Sequence, residues 1–328
     1  MPSLRNFVYT QFLAKISRPT ASFEEKTVIV TGGNRGLGKE TVKHIVSLGA
    51  SKVIIGCRNE THGLETKQEI ESITNCSPST LEVWDLDIES PASIRRFAER
   101  ANQLSRLDVL INNAGISAFN FKLVYDTERT LAVNTIGTFL LALQLIPKLK
   151  ETARKYEVIP VMTTVASALY DNAKYPEQHG DDIFTWYKDP SHVKKFNQYN
   201  LSKLLQIYTI QKLSAIVDPL AIDSPRPIVI NAMDPMFCKS DLGSEVTGAV
   251  KVLGGIFRNI TARTTEEGSR LVVQAASSGR ETHGLYMRTG AVEEYAAIAQ
   301  DEEKATYVWD ALCKRLEKLQ PGILENLQ

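Results

Sequence analysis

Short β-branched runs alternate along the chain with longer stretches whose apolar residues recur at helical spacing. Thr27-Val28-Ile29-Val30 has the pattern of a buried parallel strand with turn residues behind it. Residues 39–48 follow at helical spacing and stop at Gly49. Val53-Ile54-Ile55 predicts a second strand, 59–73 a helix and 81–86 a third strand. Ser90-Pro91 opens another helix, a cap followed by proline. Val109-Leu110-Ile111 is a fourth strand, and 127–150 a long helix that is apolar all round at 139–143, a sign of burial on two sides. A fifth strand (158–165), a helix (197–217), a sixth strand (228–230), a helix (265–276) and a seventh strand (284–287) complete the series. Such alternation predicts an α/β fold: a doubly wound, mostly parallel seven-stranded sheet with helices on both faces, in a single domain.

Two stretches interrupt the pattern. Residues 168–195 are polar, aromatic and turn-rich, and 240–263 carry four glycines. Loops this long are usually functional, so the first is read as a substrate-loop insert and the second as a lid. The organisation expected is an N-terminal arm (1–25), a catalytic body (26–290) and a helical C-terminal extension of the same domain (291–328). In the arm, Leu4, Phe7, Val8, Phe12, Leu13 and Ile16 are broken by Arg5, Asn6, Gln11 and Lys15. A signal peptide needs a longer clean apolar core, so the arm is expected to pack on the body, with a membrane-surface helix the less favoured reading.

Composition narrows the class. Lys plus Arg equals Asp plus Glu at 38 each in 328 residues, which leaves no electrostatic footprint for nucleic acid. No run approaches the ~18 uninterrupted apolar residues of a membrane span. The four cysteines form no CxxC pair and no metal spacing, so no metal site is expected and the reducing cytoplasm is the expected compartment.

Candidate chemistry begins at Thr31-Gly32-Gly33-Asn34-Arg35-Gly36-Leu37-Gly38, between the first strand and the first helix. Glycines there let a backbone approach a pyrophosphate, and the helix N-terminus offers free N–H groups and partial positive charge. This is the dinucleotide cradle of the Rossmann type. At the end of the second strand an NAD site places an acid on the ribose 2′-hydroxyl. Here Gly56-Cys57-Arg58 stands instead. Arg58, with Arg35 opposite, suits a 2′-phosphate, so NADP(H) is the expected cofactor.

The spacing YxxxK occurs at Tyr170/Lys174, Tyr199/Lys203 and Tyr208/Lys212. Tyr199 opens its helix beside the carboxyl ends of the strands, where ligands bind in open sheets, so it is preferred. A free phenol titrates near ~10. Lys203 and an oxidised nicotinamide would together bring it toward neutrality, fitting it to exchange a proton with an alcohol or alkoxide.

These segments resemble the short-chain dehydrogenase/reductase family over about residues 27–287. Asn112-Asn113-Ala114-Gly115 is similar to the family's NNAG motif, which implies that Asn113, Ala114 and Gly115 lie along the cofactor. The resemblance implies that Asp87 holds the adenine amino group and Asn134 a water near the active lysine. It implies that Ser167 bonds the substrate oxygen, with Thr163 and Thr164 as rivals. Asp234-Pro235 matches the Pro-Gly loop around the nicotinamide, and Ser240 its hydroxyl ligand. Met236 departs from that loop's usual glycine, and Ala166 from the serine usual before the active serine. The chain looks most like the retinol-dehydrogenase-like and WW-oxidoreductase-like branch, without WW modules. That branch includes reductases of secondary metabolism.

The expected catalytic set is therefore Asn134, Ser167, Tyr199 and Lys203. The expected cofactor set is Gly32, Asn34, Arg35, Gly36, Leu37, Gly38, Arg58, Asp87, Asn113, Ala114, Gly115, Tyr199, Lys203, Pro235 and Ser240. Leu169, Tyr170, Trp186, Tyr187, Met236, Phe237 and residues 246–257 are expected to line an apolar pocket for a large ketone or alcohol. The activity expected is an NADPH-dependent carbonyl reductase. An NAD-dependent alcohol dehydrogenase and a non-catalytic cofactor-sensing protein are the alternatives. The apolar faces of 127–150 and 197–217 suit the four-helix homodimer contact common in the family.

Overall fold

The computed structural model describes residues 8–180, 182–217, 227–239, 242 and 259–328. Among the described residues seven strands run parallel: β1 (Thr27–Thr31), β2 (Lys52–Cys57), β3 (Leu81–Asp85), β4 (Val109–Asn112), β7 (Val161–Val165), β8 (Val229–Asp234) and β9 (Tyr286–Arg288). β5 (Leu123–Val124) and β6 (Thr127–Glu128) form a separate small hairpin. The sheet order is β10-β9-β8-β7-β4-β1-β2-β3, where β10 (Ala291–Glu293) pairs antiparallel with β9. This eighth strand was not expected from the sequence. All three of its residues are exposed, so it lacks the apolar signature that betrays the others.

Residues alternate between the two faces of each strand. Val28 and Val30 enter one apolar layer with α1 (Gly36–Ser47), α2 (Glu60–Thr74) and α6 (Thr265–Ala276). Ile29 enters the other, with α3 (Pro91–Asn102), α4 (Arg129–Tyr156), α5 (Lys195–Val217) and α7 (Glu302–Leu319). Among the described residues α4 alone is long and apolar enough to cross a bilayer, and it is packed inside the protein. Its turn at Ala132–Gly137 is π-helical.

The order reverses at β1 and β4, because the chain builds outward to β3 and then returns to the other side of β1. Loops there diverge and leave a crevice at the carboxyl ends. Thr31, Asn112, Val165 and Asp234 all end strands at that edge.

The two terminal segments cover particular surfaces. Arg263 donates to Thr10 O (2.8 Å) and Ala14 O (2.5 Å), and Arg270 to Ile16 O (2.7 Å), tying the arm to α6. α7 lies on α5, joined at its start by a Lys212–Glu302 ion pair. Lys150 of α4 donates to the carbonyls of Leu327 and Gln328 at 3.0 and 2.7 Å. The chain's own C-terminal segment thus packs on part of the two faces considered for a dimer contact.

Candidate active site

Backbone close approach shapes the cradle. Gly32 and Gly36 have φ of +65° and +52°, a region that costs a residue with a Cβ roughly 1–2 kcal/mol. A Cβ on Gly38 would run into Gly32 O and come within 2.6 Å of Asn113 Nδ2. A Cβ on Gly36 would meet open space, so the first turn of α1 faces a clear cleft. Thr31 Oγ1 accepts from the backbone N–H groups of Asn113 (3.0 Å) and Ala114 (2.9 Å). Asn113 Nδ2 donates to Thr31 O at 2.8 Å. The glycine loop and the Asn113–Gly115 loop are therefore one braced unit, formed as a dinucleotide needs it. Thr66 Oγ1 holds Asn34 O at 2.8 Å. Leu37 packs inward beside Gly268.

Arg35 caps α1 in extended conformation, exposed and without an ion pair among the described residues. Arg58 follows β2, exposed, with a loose contact of 3.7 Å to Glu89. Asp87 sits in the turn after β3, where one carboxylate oxygen accepts from Glu89 N at 3.0 Å.

The structure brings the four candidate catalytic residues together. Ser167 leaves β7 in extended conformation and caps the next turn, its Oγ accepting from Leu169 N at 3.2 Å. Its hydroxyl faces the Tyr199 phenol and works against the rise in that phenol's pKa. Lys203 lies one turn on, its Nζ 5.5 Å from the Tyr199 ring centre. That ammonium donates to Val165 O (2.8 Å) and Gln206 Oε1 (3.0 Å). Asn134, in the π-helical turn, uses its amide to hold the backbone of Ile116, accepting from N (2.8 Å) and donating to O (2.9 Å). Its Nδ2 also donates to Ser202 Oγ at 2.9 Å.

Two details add to the sequence reading. The main-chain carbonyl of Asn134 accepts from Gln206 Nε2 at 2.6 Å. The phenol of Tyr199 is pushed above its usual range in the bare protein, first by desolvation, with Asp234 adding and the Ser167 hydroxyl opposing. Burial pushes Lys203 down to about 7, while Asp234 acts against that. In the bare protein burial outweighs the groups that would lower the phenol.

Asp234 anchors the floor. Burial pushes the pKa of its carboxyl up, while the Arg288 guanidinium, whose Nε lies 3.4 Å away, and the backbone N–H groups of Ala168 and Met236 favour the carboxylate. Asp234 so connects the Ser167 turn to the loop through Pro235. Met236, in place of the usual glycine, adopts φ +65° and is buried. The loop thus keeps the left-handed turn that glycine favours.

The rival pairs go elsewhere. Tyr208 OH donates to Ile298 O at 2.5 Å, and Lys212 pairs with Glu302. Tyr170 OH accepts from Ala296 N at 2.9 Å, and its ring packs edge-on against Tyr286. Thr163 and Thr164 are wholly buried in β7, Thr163 bonded to Asn231.

The substrate-pocket expectations need correction. Tyr170 and Tyr187 are core residues; their rings fill the gap between the insert and the helices instead of lining a cleft. Trp186 stacks on His192 with centroids 3.6 Å apart and lines a separate recess with His179 and Asp182. Leu169, Met236 and Phe237 remain beside Ser167 and Pro235, with Leu169 and Phe237 exposed. Ser240 and residues 246–257 lie outside the described residues. Gln206 was missed, though its position one turn past Lys203, polar in an apolar run, was a usable sign.

Known proteins show what the chain is similar to. A family model described as short chain dehydrogenase matches residues 26–174. The short chain dehydrogenase/reductase dmxR8 of Cryptosporiopsis sp. is 34% identical over 98% of this chain and 99% of its own length. The short chain dehydrogenase atnD of Emericella nidulans is 36% identical over 90% and 93%. Among solved structures, an NADPH-bound carbonyl reductase from chicken fatty liver superposes with a TM-score of 0.60 at 22% identity, covering 83% of this chain and all (100%) of that one. The parallel sheet, the glycine cradle and near full-length identity above 30% to two such enzymes lead to one conclusion: the chain belongs to the short-chain dehydrogenase/reductase family.

Proposed function

We propose that the protein is an NADP(H)-dependent carbonyl reductase or alcohol dehydrogenase acting on a medium-to-large hydrophobic ketone or alcohol. The carrying observation is the Ser167–Tyr199–Lys203 constellation at the carboxyl edge of the sheet, beside a cradle cleared by Gly32, Gly36 and Gly38. The cradle residues, Asn113–Gly115 and Pro235 would hold the dinucleotide. The nicotinamide supplies or accepts the hydride when bound. Ser167 and Tyr199 bond the substrate oxygen, and Tyr199 gives or takes its proton. Lys203 places positive charge behind the phenol. Two exposed guanidinium groups, Arg35 and Arg58, and the absence of an acid at Cys57-Arg58 support a 2′-phosphate. The exposed apolar side chains of Leu169 and Phe237 support an apolar substrate, of the size that tailoring of natural products involves.

The test is NADPH absorbance across a panel of hydrophobic ketones, with Tyr199→Phe and Arg58→Ala alongside. Tyr199→Phe should lower kcat by at least about 100-fold and leave NADPH affinity intact; full activity in that variant overturns the reading. Arg58→Ala should weaken NADPH and spare NADH. Equal losses for both remove the argument for the 2′-phosphate.

A further inference from the structure

We propose that Gln206 is a positioning residue that orients the Lys203 ammonium and locks it to α4. The inference rests on the oxidoreductase reading above only for its kinetic consequence. The geometry stands on five buried groups. Lys203 has three N–H donors. One goes to Val165 O at 2.8 Å and one to Gln206 Oε1 at 3.0 Å. The third is left for the cleft side, where the Tyr199 ring lies 5.5 Å from Nζ.

A carboxamide can turn either end toward a neighbour, and here its direction is decided. Gln206 Nε2 donates to Asn134 O at 2.6 Å, which forces Oε1 to face the ammonium. A flipped amide would set NH2 against NH3+ and oxygen against oxygen. Asn134 itself cannot turn, because its amide is held by Ile116 N and O and by Ser202 Oγ. Ser202 Oγ in turn donates to Tyr199 O at 2.7 Å. The circuit Asn134–Gln206–Lys203 and Asn134–Ser202–Tyr199 thus ties the Lys203 side chain and the backbone of Tyr199 to one point on α4. Gln206 and Asn134 are 1% and 0% exposed, so water does not compete for these bonds.

An amide is also the one acceptor that suits this place. A carboxylate at 206 would neutralise the charge that Lys203 presents to the phenol. An apolar side chain would leave an N–H of the ammonium unpaired in a dry site, at a cost that favours the neutral amine. The other charged and titratable groups facing Nζ are Tyr199 on its own helix and Asp234 at the end of β8. Arg288 and Glu293 of β9 and β10 stand behind Asp234. β7 meets it with the Val165 carbonyl and its own helix with the Gln206 amide, which α4 holds through Asn134 O.

The experiment compares wild type, Gln206→Leu and Gln206→Glu in two readouts. The first is titration of the Lys203 side chain by NMR of 15N-lysine-labelled protein, assigned with Lys203→Met. The second is the pH profile of kcat against KM. Gln206→Leu is expected to move the Lys203 titration to lower pH and Gln206→Glu to higher pH. Both should lower kcat by at least about tenfold, with KM for ketone nearly unchanged. A Lys203 titration that is the same in all three proteins overturns the proposal and makes Gln206 a filler of space. If Gln206→Leu does not fold, Gln206→Glu alone carries the comparison. Wild type that fails to oxidise NADPH with every ketone of the panel defeats the carbonyl-reductase reading instead, and the NMR result still decides the role of Gln206.

Discussion

Two substitutions at Met236 measure the strain in the loop after β8. Its backbone sits at φ +65°, where a side-chain-bearing residue pays roughly 1–2 kcal/mol in steric terms. The side chain is 7% exposed and belongs to the apolar layer containing Val165, Leu271 and Met287. Met236→Ala deletes that packing and keeps the strain, a loss of about 2–5 kcal/mol. Met236→Gly deletes the same packing and one carbon more, but releases the strain. Against the release stands the greater freedom of glycine in the unfolded chain, about 0.4–1 kcal/mol. The glycine variant should therefore be the more stable of the two by about 0.5–1 kcal/mol. In the middle of a helix or strand the order is reversed, glycine being worse than alanine by roughly 0.5–1 kcal/mol. Urea unfolding of both variants, with midpoints and m-values compared, gives the difference directly. An alanine variant as stable as the glycine variant, or more so, refutes the claim of stored strain at this turn.

Gly38→Ala should cost about 1–3 kcal/mol of stability, because the added Cβ meets Gly32 O and Asn113 Nδ2 inside the braced unit. Its affinity for NADPH should fall with it, and a calorimetric titration matching wild type would contradict the cradle assignment. Lys203 titrates near 10.5 when unfolded and at about 7 when buried. Between those values the unfolded chain binds the extra proton, so stability rises with pH, and the full cost of the buried ammonium is present below about pH 7. Lys203→Met should accordingly be more stable than wild type by up to a few kcal/mol near about pH 6, the advantage shrinking toward about pH 10; a pH-independent difference contradicts the assignment. Removing residues 302–328 uncovers the face of α5 on which Val308, Leu312 and Leu316 are buried. Light scattering should then show a larger assembly than the full chain forms, and an unchanged assembly state means that face needs no cover.

Much of the site was legible because its signals are short. Glycines between a strand and a helix, a tyrosine and lysine one turn apart, and an Asn-Asn-Ala-Gly run after a strand each lie within a few residues. What was misread depends on partners far along the chain. Tyr170 looked like a pocket aromatic until Ala296, 126 residues later, took its hydroxyl. Trp186 looked equally suited to a substrate, but His192 holds its face. β10 carried no signal because an exposed three-residue edge strand needs no apolar alternation.

Hydrophobic periodicity by itself determined seven parallel strands, the helices that cover them and the edge of the sheet where chemistry sits, since burial on one or two faces is written locally in every element. The sequence already preferred Tyr199 among three tyrosine–lysine pairs; tertiary structure alone shows Tyr208 and Tyr170 engaged in bonds with the C-terminal extension. It also decided that Gln206, 72 residues from Asn134, holds the lysine. Hydrogen bonds of fixed direction between helices are set by how those helices pack on the sheet, and no pattern along one segment records the orientation of another.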